Sequence, residues 1–165
     1  MIVRVHRCRA KGFKPAAWAI MLFQKMNPFK SSSYNHFAIS YTGQTGTIKY
    51  ADATLKNGVV YGQTDYDFNK KYNIVNTKRL DIKAEDVFFK AWLEANGGKK
   101  YDVWSIVGLT FKALHIFKRN PLGSDFRRMI CNELVLSMIS RFCGVKLGDS
   151  DDYDLLMTAD LVESL

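Results

Sequence analysis

The sequence predicts an α+β fold in which an antiparallel sheet packs against helices. The first half contains short segments of alternating apolar and polar residues, separated by turn residues, which is typical of antiparallel strands. The second half has apolar residues at helical spacing and glycines where helices are expected to end. A length of 165 residues favours one domain spanning residues 1–165.

Five strands are predicted, at residues 1–9, 34–41, 47–53, 59–61 and 72–80. Strand alternation places Phe37 on one face of the second strand and His36 on the opposite face. Residues 42–46 supply the turn into the third strand, and Asn57-Gly58 supplies the next turn. These turns connect neighbouring strands directly, so the sheet is expected to be antiparallel.

Helices are predicted at residues 15–25, 84–95 and 102–117, and from residue 129 onward, with Cys131 in the first turn of the last helix. Glycines stand after the second and the last of these helices, at Gly97-Gly98 and Gly144. The helix at 102–117 includes the longest apolar segment, which predicts a buried helix that is too short to span a bilayer. Residues 62–73 are polar and aromatic and are predicted to form a loop.

The cysteine content argues against a disulfide scaffold. Cys8, Cys131 and Cys143 form an odd set with no short pairing pattern, which fits a reducing compartment. No Cys-x-x-Cys element or close Cys/His cluster indicates zinc, so we expect no metal and no cofactor. The first residues do not resemble a secretory signal, so the expected location is cytoplasmic as synthesised.

The net charge of +8 is unevenly distributed along the chain. Residues 1–51 contain no acidic residue, whereas no Lys or Arg follows Lys146. A basic surface can attract nucleic acid, anionic lipid or an acidic cell-wall polymer. The alternative is a solvated basic surface that the acidic tail partly balances. Nucleic acid is the less favoured partner, because no Lys/Arg and aromatic pattern of a known binding module is present.

Cys131 is the candidate nucleophile because it begins an apolar helical face. Val135, Met138, Ile139 and Phe142 follow it at helical spacing. A thiol in the first turn lies near the positive end of the helix dipole and near unpaired backbone N–H groups, and both favour the thiolate. The alternative is that Cys131 is only a small residue of the core.

A thiolate nucleophile needs a base, and His36 is the preferred histidine. His115 lies within an apolar helix, and His6 has basic neighbours and no evident partner. If the hairpin closes around Gln44, His36 lies opposite Asp52, with Cβ atoms roughly 5 Å apart. The Asp52 carboxylate could then bind one imidazole nitrogen and leave the other to face the thiol.

The pairing of His36 with Asp52 depends on the register of the hairpin. A two-residue slip would place Tyr50 or Thr54 opposite His36 instead. The alternative to a catalytic pair is a surface histidine beside a surface aspartate.

The histidine segment comes first in the chain, the carboxylate segment next and the cysteine segment last, and they form an ordered set of motifs with the segments around them. They are Asn35-His36-Phe37-Ala38-Ile39, Asp52-Ala53, Asn57-Gly58-Val59, Gly98-Lys99-Lys100-Tyr101-Asp102, Cys131-Asn132-Glu133-Leu134-Val135 and Thr158-Ala159-Asp160-Leu161. This set resembles the circularly permuted papain-like hydrolases of the NlpC superfamily, which include bacterial lipoprotein, phage-encoded and lecithin:retinol acyltransferase members. Two positions depart from the family pattern, since Asn132 replaces a Ser and Asp52 replaces the common Glu.

The resemblance implies a permuted papain-like fold and a cysteine hydrolase that cleaves an amide, ester or thioester bond. Cys131 would attack, His36 would act as the base, and Asp52 would orient His36. The backbone N–H of Cys131 and the hydroxyl of Tyr34 are the predicted oxyanion donors, and Glu133 is predicted to stabilise the helix start.

A peptide of the cell wall is the first substrate that the family suggests, and a lipid or protein acyl bond is the next. A phage origin, with virion or other phage proteins as partners, is also expected from the resemblance. The rival hypothesis is a non-catalytic structural or binding module that keeps this fold.

Overall fold

The computed structural model describes residues 1–12, 33–43, 45–113, 116, 118–119, 121–122, 127–147 and 155–165. Its strands are β1 (Ile2–Ala10), β2 (His36–Thr42), β3 (Ile48–Thr54), β4 (Gly58–Gln63) and β5 (Tyr72–Asp81). They form one sheet in the order β4-β3-β2-β1-β5, and every pairing is antiparallel. The predicted α+β class and the five predicted strands are therefore confirmed.

The described helices are α1 (Asp65–Lys71), α2 (Asp86–Asn96), α3 (Val103–Ala113), α4 (Cys131–Phe142) and α5 (Leu155–Ser164). The predicted helix at residues 15–25 lies outside the described residues. Helices α2 and α3 overlap the predictions at 84–95 and 102–117, and α4 begins two residues later than predicted with Cys131 in its first turn as expected.

Two apolar clusters lie on opposite faces of the sheet. The larger one, the main core, combines strand residues with helix residues, of which the buried ones are Phe89, Leu93, Cys131, Leu134, Val135, Met138, Ile139, Ala159 and Val162. The second cluster consists of Cys8, Ala38, Tyr50, Phe68 and Tyr72. The predicted alternation along β2 is confirmed, since Phe37 belongs to the main core and Ala38 belongs to the second cluster.

The pairing of β2 with β3 differs from the predicted register by two residues. Ala38 lies opposite Asp52, and Thr42 with Ile48 is the last pair before the turn. The predicted pairing of His36 directly opposite Asp52 is therefore wrong, because the turn closes one residue later than expected. A shift of two residues keeps every side chain on its own face, so His36 and Asp52 still point the same way.

Helix α1 occupies a segment that is predicted to be a loop. Thr64 caps its N-terminus, since its hydroxyl accepts a hydrogen bond from the Asp67 backbone N–H at 3.1 Å. Lys70 and Lys71 lie in the last turn, where positive charge favours the helix dipole. Phe68 alone is buried, so the segment carries no apolar periodicity from which a helix could be predicted.

Helix α3 is more exposed than predicted. Val103 is 44% exposed and Trp104 is 58% exposed, so the apolar first turn does not pack into the core. Asp102 caps the helix, because its carboxylate accepts a hydrogen bond from the Ser105 backbone N–H at 3.1 Å. The prediction of a buried helix is wrong for this first turn, since apolar content alone does not specify which side of a helix is covered.

The residues at both ends of helix α4 act as the sequence predicts. The Glu133 carboxylate accepts a hydrogen bond from the Ile130 backbone N–H at 2.8 Å, which confirms that Glu133 stabilises the helix start. Gly144 follows the C-terminal end with a φ of 70°, a left-handed conformation that favours glycine.

The turn between β3 and β4 packs directly against the segment that follows α2. The Val59 backbone N–H donates to the Lys99 carbonyl at 2.8 Å, and the Gly98 N–H donates to the Val59 carbonyl at 2.9 Å. A Cβ atom on Gly58 would lie 2.0 Å from the Lys99 carbonyl oxygen, so only glycine fits there. This close contact fixes the backbone leading to Tyr101.

Helix α5 covers the part of the main core next to β1 and brings acidic groups to the basic first strand. Arg7 forms an ion pair with Glu163, and the Lys78 amine donates to the Glu163 carbonyl at 3.1 Å. The acidic tail therefore balances part of the basic surface, as one of the two hypotheses on charge expects. Among the described helices, none has the length and apolar character needed to cross a membrane.

Candidate active site

The three residues predicted to act together come from the starts of two elements and the middle of a third. Cys131 is the first residue of α4, His36 is the first residue of β2, and Asp52 lies within β3. The His36 Nε2 atom lies 3.3 Å from the Asp52 Oδ2 atom. Cys131 is close enough to His36 to raise the pKa of the imidazole, so the ring lies between the thiol and the carboxylate.

The position of His36 at the start of β2 explains how it reaches Cys131. Strand alternation directs His36 to the face of the second cluster, whereas Cys131 belongs to the main core. Because both residues begin their elements, they meet at the end of β2, where the strand does not separate them. With Nε2 directed at Asp52, Nδ1 is the ring nitrogen that remains for the thiol.

The surroundings of His36 favour its protonated form. Burial alone would lower the pKa of the imidazole, but the Cys131 side chain and the Asp52 carboxylate raise it to about 9. Since 9 is above neutral pH, the imidazolium is the main form of His36 at pH 7. His36 is therefore positioned between the Cys131 thiol and the Asp52 carboxylate as a proton donor.

Asp52 is fully buried and is held as a carboxylate by the groups around it. Burial would raise its pKa, but hydrogen bonds from His36 and Gln63 and the charges of His36 and Lys71 lower it below the ordinary value. The Gln63 Nε2 atom donates to Asp52 Oδ1 at 2.5 Å. Asp52 therefore reaches His36 even though it is one methylene shorter than a glutamate.

Tyr72 covers one face of the His36 ring. The two rings are stacked with centroids 4.4 Å apart and an interplanar angle of 6°. Burial, and then the nearby Asp52 and Cys131, raise the pKa of Tyr72. A neutral phenol thus packs against the imidazole and restricts the orientation of the His36 ring.

Tyr101 is a residue of the site that the sequence analysis did not assign. Its side chain lies close to Cys131, and burial, followed by the neighbouring Cys131, raises its pKa well above the ordinary value. The hydroxyl therefore stays protonated and can donate to the sulfur. The only signal in the sequence was that Tyr101-Asp102 matches a family motif, since the segment has no periodicity of its own.

Tyr34, the predicted side-chain oxyanion donor, packs in the main core. Its ring contacts Phe37 edge-on at 5.7 Å, and the Arg7 guanidinium lies 5.6 Å from the ring centroid. Strand alternation does not extend back to this residue, because β2 begins at His36. Its role as a donor stays a prediction.

His6 is not part of the site. His6 is buried and has two partners, contrary to the expectation of none: its Nδ1 lies 2.8 Å from the Thr77 hydroxyl and its Nε2 lies 2.8 Å from the Ser40 hydroxyl. Burial, and then the charge of Arg4, lower its pKa to about 4, so His6 stays neutral. His115 lies outside the described residues.

The remaining cysteines differ from Cys131 in their surroundings. Cys8 is buried in the second cluster, and burial, followed by the charges of Asp52 and Cys131, raises its pKa. Burial also raises the pKa of Cys143. All three cysteines are free thiols. Among the residues that the structure describes, no group of three or more His, Cys, Asp and Glu side chains could hold a metal ion.

Comparison with known proteins gives no assignment for this arrangement. No protein-family model matches the chain, and neither a curated protein nor a solved structure is significantly similar to it.

Proposed function

We propose that this protein is a cysteine hydrolase that cleaves an amide, ester or thioester bond. The observation that carries the proposal is that His36 bonds a buried carboxylate, Asp52, and lies beside the Cys131 thiol at a helix start, which raises the pKa of the imidazole. A nucleophile, a base within hydrogen-bonding reach and a group that orients the base are the requirements for covalent catalysis.

The reaction would proceed through an acyl-enzyme. The Cys131 sulfur attacks the carbonyl carbon while its proton resides on His36, forming a C–S bond and a tetrahedral oxyanion. The oxyanion collapses, the bond to the leaving group breaks, and His36 donates its proton to that group. A water molecule then gives a proton to His36, its oxygen attacks the acyl carbon, and the thiol is released.

The negative charge that develops on the carbonyl oxygen needs donors near the sulfur. The backbone N–H of Cys131, at the start of α4, is one such donor. The Tyr101 side chain lies close enough to Cys131 for that residue to raise its pKa, which supports its hydroxyl as a second donor in preference to that of Tyr34.

The substrate class is proposed from the resemblance and from charge. A cell-wall peptide is the first proposal, because the NlpC superfamily commonly acts on such peptides and the chain is basic enough to attract an anionic cell-wall polymer. A lipid or protein acyl bond is the second. A phage protein that is synthesised in the cytoplasm and then associates with a virion and its partner proteins fits the same resemblance.

The alternative is a non-catalytic module that keeps this arrangement for structural reasons or for binding. It is favoured by the burial of the site, since Cys131 is 2% exposed and His36 is 6% exposed. A substrate would need access to the sulfur that these exposures do not provide, whereas a structural role would need none.

The test is a panel of three ligand classes: purified peptidoglycan, short-chain acyl esters and nucleic acid. A hydrolase should release peptide or acyl product, and Cys131→Ser should reduce release by orders of magnitude. Cys143→Ser is the matched control, since it removes a thiol in the turn that ends the same helix. Nucleic-acid binding would instead weaken steeply with salt and ignore both changes. If nothing is cleaved, the non-catalytic module is supported.

A further inference from the structure

A second hydrogen-bond chain reaches Asp52 from the side away from His36. The Lys71 Nζ atom donates to Gln63 Oε1 at 2.5 Å, and Gln63 Nε2 donates to Asp52 Oδ1 at 2.5 Å. The other carboxylate oxygen, Oδ2, bonds His36. Asp52 and Gln63 therefore link Lys71, the last residue of α1, to the His36 imidazole.

The chemistry of this chain sets its direction. A lysine ammonium can only donate, so the Gln63 amide must direct its oxygen to Lys71 and its NH2 group to Asp52. The NH2 group can only donate as well, so Asp52 Oδ1 must accept. The chain is therefore satisfied by an ionised Asp52, and a proton on Oδ1 would face a donor.

A β-bulge in β4 directs Gln63 toward Asp52. Asp52 pairs with Val60, but Tyr50 pairs with Gln63, so one extra residue is present in β4 between these pairs. Gly62 lies within the bulge with a φ of 77°, a left-handed conformation that favours glycine. Without the extra residue, Gln63 would point to the opposite face, because strand residues alternate.

Helix α1 supplies the other end of the chain. Gln63 is the last residue of β4, and Thr64 immediately caps the seven-residue helix. Lys71 is the last residue of that helix, and its amine reaches back to the Gln63 side chain. The bulge in β4 thus places Gln63, and helix α1 places Lys71.

We propose that Gln63 and Lys71 are positioning residues for the candidate active site. They keep Asp52 ionised and oriented, and through Asp52 they hold His36 in the orientation and protonation state that serve Cys131. Neither residue contacts the reacting atoms. The inference rests on the proposed function, because it assigns these residues a role in the reactivity of that same site.

The test uses three variants of full-length protein. Lys71→Met removes the donor and its charge while keeping a long side chain. Lys70→Met is the matched control, because Lys70 is the neighbouring exposed residue in the same helical turn. Gln63→Glu replaces the NH2 donor with an oxygen at nearly constant shape. Two readouts are measured: the carboxyl titration of Asp52 by ¹³C NMR, and the rate of Cys131 alkylation by iodoacetamide against pH.

Lys71→Met should raise the midpoint of the Asp52 titration by about one pH unit. Gln63→Glu should raise it further, because the group facing Asp52 Oδ1 changes from a hydrogen-bond donor to an acceptor. Alkylation of Cys131 should slow roughly tenfold or more in both variants, and Lys70→Met should change neither readout. Equal titrations of Asp52 in Lys71→Met, Lys70→Met and the unmodified protein would overturn the inference. The proposed function fails separately, if His36→Ala leaves the alkylation rate of the unmodified protein unchanged.

Discussion

His36 bonds Asp52 diagonally across two strands, with Nε2 and Oδ2 3.3 Å apart, although Ala38 is the residue directly opposite Asp52. Same-face residues offset by two positions remain within reach of long side chains, so the contact survives a register in which the two residues are not paired. This diagonal contact leaves the far side of the carboxylate open to Gln63. Asp52 therefore accepts hydrogen bonds from His36 on one oxygen and from Gln63 on the other.

The titration of His36 is the first prediction. Its pKa is raised to about 9, above the ordinary 6.5, so the ring should stay protonated as the pH rises past neutrality and should lose its proton only near pH 9. Cys131→Ser should lower the midpoint, because the Cys131 side chain is one of the groups that raise it. Histidine ring signals in NMR spectra measure both midpoints.

His6 serves as an internal control for that titration. It is buried between two hydroxyl groups with a pKa lowered to about 4, so its signals should not shift between pH 5 and 10. A His36 midpoint at or below 6.5, or one that Cys131→Ser leaves in place, would contradict the influence of Cys131 and Asp52 on the imidazole.

The oxyanion donor is the subject of the second prediction. Tyr101→Phe removes a hydroxyl close to Cys131 and should lower kcat on a short-chain acyl ester by roughly a hundredfold. Tyr34→Phe should have little effect, since the Tyr34 ring packs against Phe37 and Arg7. Tyr66→Phe, at a residue that is 76% exposed, controls for the loss of a phenol hydroxyl. A larger loss in Tyr34→Phe than in Tyr101→Phe would restore Tyr34 as the donor.

The third prediction concerns the backbone that places Tyr101. Gly58 and Gly46 both have a left-handed φ, of 65° and 75°, so alanine strains either one by about 1 kcal/mol or more. At Gly58 the added Cβ would also meet the Lys99 carbonyl oxygen at 2.0 Å, whereas at Gly46 nothing lies within 4 Å. Gly58→Ala should therefore lower the free energy of unfolding by several kcal/mol more than Gly46→Ala. Urea denaturation measures the difference, and equal losses would contradict the close contact.

Much of the site could be predicted because it depends on local periodicity. The helical spacing that follows Cys131 and the alternation around His36 each fix a face, and both predictions hold. Asp52 could be predicted as the partner of His36 from strand alternation alone, since a two-residue shift in register keeps each side chain on the same face. The exact register could not, because it depends on where a five-residue turn closes.

The residues that the sequence analysis missed are those placed by irregular structure. Gln63 reaches Asp52 because of a bulge in β4. A glycine such as Gly62 permits a bulge, but its presence in a sequence does not show that a bulge occurs there. Tyr101 follows a segment held by the Gly58 contact, which joins parts of the chain about forty residues apart. Lys71 depends on a helix with a single buried residue. None of these has a periodic signal.

The central claim, that His36 activates Cys131, is tested most directly by thiol alkylation followed residue by residue with mass spectrometry. Near neutral pH, iodoacetamide should modify Cys131 faster than Cys8 or Cys143, because burial raises the pKa of both other thiols, whereas Cys131 begins a helix and lies beside His36. His36→Ala should slow the modification of Cys131. His6→Ala, which removes another buried imidazole, should not. Equal rates at the three cysteines, unchanged in His36→Ala, would show that Cys131 is a packed core thiol and would contradict the account.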